Sequence, residues 1–216
     1  MIHAQGSTGK RLTSPGMVGR YLVLSCASLF ALLPILWGFS TSLKPEELVA
    51  QWPPQWLPAK ITLANYVAAI ADRGFVIYLR NTIVVAGCTV ILTVLIALLG
   101  GYAGSRFEFK GKNALLFLIL STAMIPGIAI LVPLYLIAVR LGIYNTRLVL
   151  VMIFAAWQIP SAIWIMRGFY QSIPYELEEA AYIDGCSVFQ AFTRIVVPLT
   201  QPGIAAVSIL VFIFVW

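Results

Sequence analysis

Arg167-Gly-Phe-Tyr-Gln-Ser172-Ile-Pro174-Tyr-Glu176-Leu177-Glu178-Glu179-Ala180-Ala181-Tyr-Ile-Asp184-Gly185-Cys-Ser187-Val188-Phe-Gln190-Ala-Phe192-Thr-Arg194-Ile195-Val196-Val197-Pro198 is the internal stretch that is neither lipid-like nor a simple loop. Ser172 and Pro174 read as a helix start, because proline is tolerated in a first turn. Glu176, Glu178 and Glu179 follow, where the positive end of the helix dipole favours acids. Leu177, Ala180, Ala181 and Asp184 are expected to share a shallow contact side. Gly185 is expected to end the helix, since glycine takes the left-handed cap conformation at little cost. Ser187-Val-Phe-Gln190 fits a capping box that restarts it. Val188, Phe192, Ile195 and Val196 would form a second apolar side, with Pro198 as the stop. The spacing predicts two short helices joined by a glycine turn. Such a unit either docks a partner or is a surface hairpin without one.

On both sides of this segment the chain turns strongly apolar. A bilayer core takes roughly 20 apolar residues per helix. Val18 to Leu43, Thr82 to Tyr102, Ala114 to Val139 and Leu148 to Met166 meet that requirement. A fifth run starts near Leu199 and is still apolar at Trp216, so we expect part of a last span to be missing. Composition agrees: 61% of the 216 residues are hydrophobic and 10% charged, against about 25% charged in soluble domains. An ordinary soluble enzyme, a disordered chain and a disulfide scaffold are excluded. The class is an all-α integral membrane protein with lipid as a binding phase. The net charge of +6 is scattered, which suits loops and anionic headgroups rather than nucleic acid. Cys26, Cys88 and Cys186 form no ligand cluster, and no metal site or cofactor is expected.

Basic residues orient the spans. With the N-terminus inside, Lys10, Arg11, Arg20, Arg106, Lys110, Lys112, Arg167 and Arg194 are cytoplasmic. Lys44, Lys60, Arg73, Arg80, Arg140 and Arg147 are external. The division is a cytoplasmic tail at 1–17, a first transmembrane helix at 18–43, an external loop at 44–80, and a transmembrane domain at 81–216. The internal segment 168–198 belongs to that domain. The first run exceeds the length of a signal-peptide core and lacks a cleavage site, so we read it as an uncleaved helix. Trp52-Pro-Pro-Gln-Trp-Leu-Pro58 cannot be regular helix. Thr62 to Ile70, with Leu63, Tyr66, Val67 and Ile70 on one side, reads as a short surface helix. It is either an interfacial anchor or a platform for an external partner. Pro34, Pro126, Pro133 and Pro160 punctuate the spans. Pro126 and Pro133 suggest one kinked helix, either lining a pathway that opens and closes or statically packed.

Glu179-Ala180-Ala181, three residues, Gly185, nine residues, Ile195, two residues, Pro198 resembles the EAA signature of inner-membrane permeases of binding-protein-dependent ABC importers. Val197 departs from the usual leucine. Met124-Ile-Pro, Val132-Pro-Leu-Tyr135, Leu141-Gly-Ile-Tyr-Asn-Thr146 and the stretch from Ser172 to Ala181 resemble the carbohydrate-uptake branch. The Lys44-Pro-Glu-Glu loop is similar to maltose- and glycerol-phosphate-type permeases. The resemblance implies the type I ABC importer permease fold, with about five of an expected six transmembrane helices, in the inner membrane of a bacterium or archaeon. It implies half of a translocation pore completed by a second homologous permease, two cytoplasmic ATPase subunits and an external solute-binding protein. It also implies coupling to the ATPase through Glu179, Ala180, Ala181, Gly185, Ile195 and Pro198. ATP binding would close the ATPase dimer, move the Gly185 helix pair and switch the pore.

The residues fit a transport subunit rather than an enzyme. A P-loop needs G-x-x-x-x-G-K-[ST]. Gly9-Lys10 is followed by Arg11, and Gly111-Lys112 by Asn113, so hydrolysis is expected on a separate subunit. The lone His3 gives no catalytic site. Trp157, Gln158, Ser161 and Trp164 are candidates for a substrate pathway, since aromatic faces and an amide suit a sugar; packing is the plainer role for the tryptophans. The competing classes are a stand-alone channel, a secondary transporter and a nonfunctional truncated permease. Proton coupling usually needs intramembrane acids, and the assigned spans carry none.

Overall fold

A computed structural model describes residues 15–71 and 74–216. Residues 1–14 of the expected tail, including His3, Lys10 and Arg11, lie outside the described residues, as do Asp72 and Arg73. Every regular element among the described residues is helical. The chain divides into two compact units, Met1–Val76 and Ile77–Trp216.

In the first unit, α1 (Pro15–Ser42) matches the expected first span. Its side chains, such as Val23 at 69% and Phe30 at 78%, are exposed, which suits a helix whose covering phase is lipid. Pro34 lies inside it without ending it. The loop that follows is anchored by an unforeseen residue. Lys44 is 2% exposed, its ammonium lies 4.3 Å from the Trp37 ring centre, and it donates to the Gln55 carbonyl. Asn65 Nδ2 donates to the carbonyls of Ser42 at 3.0 Å and Lys44 at 2.7 Å. Beyond the short α2 (Glu46–Val49), the surface helix forms as α3 (Ala64–Ala71), with Leu63, Tyr66, Val67 and Ile70 all exposed.

The second unit holds most of α4 (Phe75–Arg106), which is longer at both ends than the expected span. Phe75 to Leu79 is itself apolar, and a long basic side chain such as Arg80 can keep its charge at the interface while its stem follows the helix. The expected third span is instead two helices, α5 (Lys112–Thr122) and α6 (Gly127–Arg140), bent by 89°. Pro126 stands just before α6 and Pro133 lies inside it. The sharp break is thus at Pro126, where the missing amide falls between helices, and Pro133 does not add a second one.

Helix α7 (Arg147–Gln171) starts at Thr146, whose hydroxyl accepts from Val149 N at 3.4 Å, and contains the buried Pro160. It outruns the expected end at Met166, because Arg167 does not stop it: Arg167 Nε donates to the Gly104 carbonyl at 3.2 Å. Then come α8 (Glu176–Ile183), α9 (Val188–Ala191), a wide π-type turn Phe192–Val196, α10 (Val197–Leu199) and α11 (Gln201–Val215). Among the described residues, three helices are long and apolar enough to cross a bilayer, or up to five if each bent pair counts as one span. The core gathers Ala97, Tyr102, Ile163, Met166, Tyr170, Phe192, Val196 and Val207. Close approach is set by Gly101, where an added Cβ would lie 2.9 Å from Met166 Cβ and 3.1 Å from Arg167 N.

Candidate functional site

The segment between α7 and α11 forms as two helices about a glycine turn, with corrections to its edges and its buried side. Ser172 does not open α8; it ends α7, with its Oγ donating to the Phe169 carbonyl at 2.7 Å. Pro174 precedes α8, which begins at Glu176. The stop is a Schellman arrangement. Gly185 sits at φ +86°, its N–H donates to Tyr182 O at 3.1 Å, and Cys186 N donates to Ala181 O at 2.9 Å. An added Cβ at Gly185 would meet nothing within 4 Å. Strain alone, not collision within this chain, therefore requires glycine there. The capping box is complete: Gln190 N donates to Ser187 Oγ at 3.3 Å and Ser187 N to Gln190 Oε1 at 2.8 Å. Pro198 does not stop the helix. It lies within α10, two residues beyond the end of the π-type turn. Pro198 has no amide to offer the Arg194 carbonyl, and a widened turn is a common accommodation of such a missing bond. The bend comes at Thr200.

The side of α8 that packs within this chain adjoins the expected contact side, most of which stays open. Ala181 is buried, but Leu177, Ala180 and Asp184 are exposed, and Glu178 is 0% exposed. Its carboxylate collects three donors. Arg106 Nε donates to Oε1 at 2.6 Å, Tyr102 Oη to Oε2 at 2.6 Å, and Tyr182 Oη to Oε2 at 3.5 Å. A buried carboxylate needs such partners, because an unpaired one is strongly disfavoured. Partial burial also pushes the Tyr182 phenol up from its ordinary value, which keeps it a neutral donor. Arg106 Nη2 donates further to the Ile173 carbonyl at 2.9 Å. The Tyr102 ring packs on Phe192, with centroids 4.6 Å apart. The end of α4 and the helix α8 thus meet at one buried carboxylate, with Ile173 reached through Arg106 and Phe192, in the wide turn after α9, reached through the Tyr102 ring. Sequence reading missed this, taking Arg106 as an orientation marker and Glu178 as a dipole acid. Spacing offered no way to choose, because Tyr182 stands at i+4 from Glu178 and at i+3 from Glu179.

Of the expected coupling residues, Glu179, Ala180, Gly185 and Pro198 are exposed, Ile195 is half-buried and Ala181 is buried. Around Gly185 the surface is apolar, with Ile183 at 86% and Phe189 at 69% exposed. Leu177 and Val188 are exposed as well, so Val188 is not part of the second buried side; Ala191 takes that place.

The four pathway candidates on α7 are not brought together. Trp157 borders an apolar cavity of about 360 Å³ with Ile125, Leu134 and Pro160. Gln158 and Ser161 face a separate groove of about 380 Å³ against Leu210 and Phe214 of α11. Trp164 is exposed and lies 5.1 Å from the Arg167 guanidinium. A larger open cavity of about 650 Å³ lies toward the other end of α7, lined by Asn81, Tyr135, Tyr144, Arg147 and Trp216 among others.

The sequence model described as binding-protein-dependent transport system inner membrane component matches residues 96–216. This chain belongs to that family. It is a permease subunit of the ABC importer class, a multi-pass protein of the inner membrane. The matched region contains Tyr102, Arg106 and the whole α8–α9 segment. The trehalose transport system permease of Mycobacterium tuberculosis is 36% identical over 187 residues, covering 87% of this chain and 68% of that protein. The sulfoquinovosyl glycerol transport system permease of Agrobacterium fabrum is 35% identical over 211 residues, covering 94% and 74%. The trehalose/maltose transport system permease of Thermococcus litoralis is 34% identical over 188 residues, covering 86% and 67%. A chain in the crystal structure of a bacterial ABC transporter that imports the acidic polysaccharide alginate superposes with a TM-score of 0.79 at 27% identity. The superposition covers 99% of this chain and 74% of that one. The expected helical permease fold is therefore the observed one.

Proposed function

We propose that this permease forms half of a translocation pathway for a carbohydrate or related solute and draws its energy from separate ATPase subunits through the α8–α9 segment. The supporting observation is the surface around Gly185: an exposed glycine turn between two short capped helices, flanked by exposed Ile183 and Phe189. Exposed apolar side chains at a loop outside the spans suit a protein partner. Glu179 offers a charge at the rim, and Ala180 leaves room for close approach. A second homologous permease would complete the pathway, and an external solute-binding protein would deliver the substrate. The sugar class follows the relatives named for trehalose, maltose and sulfoquinovosyl glycerol. Gln158 and Ser161, which line the α7–α11 groove, are the polar candidates for solute contact; Trp157 and Trp164 lie outside that groove and would meet the solute only elsewhere along α7.

Arg106 reaches the carbonyl of Ile173, so the loops after α4 and α7 share a side, and we assign that side to the cytoplasm. Co-expression with the ATPase and the second permease tests the reading. The ATPase should co-purify with this chain, the chain purified alone should hydrolyse no ATP, and Lys110→Cys should resist an impermeant maleimide in intact cells. Uptake that persists with no ATPase present would overturn it in favour of a stand-alone transporter.

A further inference from the structure

We infer that Glu178 is a positioning residue that binds the α8–α9 segment to the last turn of α4, so that movement imposed on the segment is carried into a membrane-spanning helix. The inference rests on the docking role proposed above and adds the route by which motion leaves the segment. Glu178 and Glu179 are neighbours in sequence, yet one is fully buried and the other exposed. One helical residue turns the side chain by about 100°, which sends Glu179 outward and Glu178 inward. Glu178 is thus not part of the outer surface; it acts through Arg106 and Tyr102.

The geometry makes the joint stiff. Both carboxylate oxygens are held at 2.6 Å by α4 donors, Arg106 Nε on one and Tyr102 Oη on the other. Arg106 is itself fixed by the Ile173 carbonyl just before α8. The second helix of the pair meets the same point, because Phe192 packs on the Tyr102 ring. Both helices of the segment therefore hold α4 through Tyr102, and α8 holds it a second time through the ion pair. Sliding α8 past α4 would strand a buried charge without its partner, which is strongly unfavourable. Moving α4 with α8 keeps every bond. Long-range coupling requires such a contiguous, bonded element.

Amide hydrogen exchange on the assembled complex with its ATPase subunits, with and without Mg²⁺ and a non-hydrolysable ATP analogue, tests this. In the wild-type complex both segments 176–190 and 98–110 should respond to nucleotide. In Glu178→Gln the response at 98–110 should shrink at least about fivefold, within the usual range of coupling between sites, while 176–190 still responds. Tyr102→Phe keeps the ring packing and the ion pair, and should show a smaller loss in the same direction. A full 98–110 response in both variants overturns the inference, as does a wild-type response confined to 176–190. Loss of both responses in Glu178→Gln with none in Tyr102→Phe makes Glu178 purely structural and also overturns it. No response at either segment in the wild-type complex removes the docking reading itself.

Discussion

The α8–α9 segment and the middle of α7 contrast in how they use their polar residues. In the segment, one carboxylate gathers Arg106, Tyr102 and Tyr182 from two helices, and Tyr102 in turn packs on the wide turn that follows α9. In mid-α7, Trp157, Gln158, Ser161 and Trp164 point to different surroundings and share no cavity among the four. The first is a joint, where groups depend on one another. The second is a wall, where the two tryptophans and the Gln158–Ser161 pair each meet different surroundings. Helical spacing set the four candidates of the wall on one helix and gave no sign of the joint; how each is surrounded comes from packing.

This contrast can be broken most directly at the joint. Glu178→Ala leaves Arg106 largely buried without its carboxylate, and should cost about 3–5 kcal/mol, the usual penalty for breaking a buried pair. Arg106→Ala should cost a similar amount, and the double variant clearly less than the sum. Thermal inactivation of the detergent-solubilised complex measures all three. An additive pair would mean that the joint is no more than two separate contacts.

Gly185→Asp comes next. It strains a turn at φ +86° and adds charge at the proposed docking surface. A loss of roughly 2–4 kcal/mol would weaken ATPase association about thirtyfold to a thousandfold, with membrane insertion intact. Co-purification and solute uptake from the same membranes read this out; wild-type values for both would leave the helix pair as a partnerless hairpin. Glu179→Ala, which removes an exposed charge and adds no bulk, should be milder in the same assay.

Gly101→Ala tests whether the approach of α4 and α7 beneath the joint matters. The new Cβ meets Met166 Cβ and the Arg167 backbone nitrogen, so overpacking should cost about 1–3 kcal/mol of stability, read as a lower melting temperature. For the wall, Trp157 and Trp164 stand about 10 Å apart along α7 in different surroundings, and the effects of Trp157→Ala and Trp164→Ala on stability should add to within about 0.5 kcal/mol. A larger departure from additivity would restore a shared site. Val197→Leu, at a half-buried position, should stay within about 0.5 kcal/mol of wild type.

Much of the architecture was legible in the chain because its signals are local. Apolar runs long enough for a bilayer, the Ser187–Gln190 capping box and the left-handed Gly185 each depend on residues within a turn or two. The membrane class and the helix pair followed from them. Element edges were less legible. Arg167 and Arg80 read as boundaries because charge opposes lipid, yet Arg167 bonds the Gly104 carbonyl and α4 begins before Arg80. Pro126 and Pro133 looked equivalent, but only Pro126 falls at a break; Pro133 is accommodated within α6.

The buried carboxylate could only come from tertiary structure. Arg106 precedes Glu178 by 72 residues and Tyr102 by 76, and no local periodicity relates positions so far apart. Three glutamates in the first turn of α8 are equally suited to the helix dipole, and their own sequence neighbours do not rank them. What selects Glu178 is the arrival of α4, held close to α7 by a side chain as small as Gly101, with a guanidinium and a phenol at its end. By itself the sequence determined that this is a helical membrane protein with a glycine-turned helix pair, since propensity and hydropathy act along the chain. Which acid faces inward, and which helix it holds, was decided by packing, because desolvating a charge is tolerable only where distant donors have already been brought to meet it.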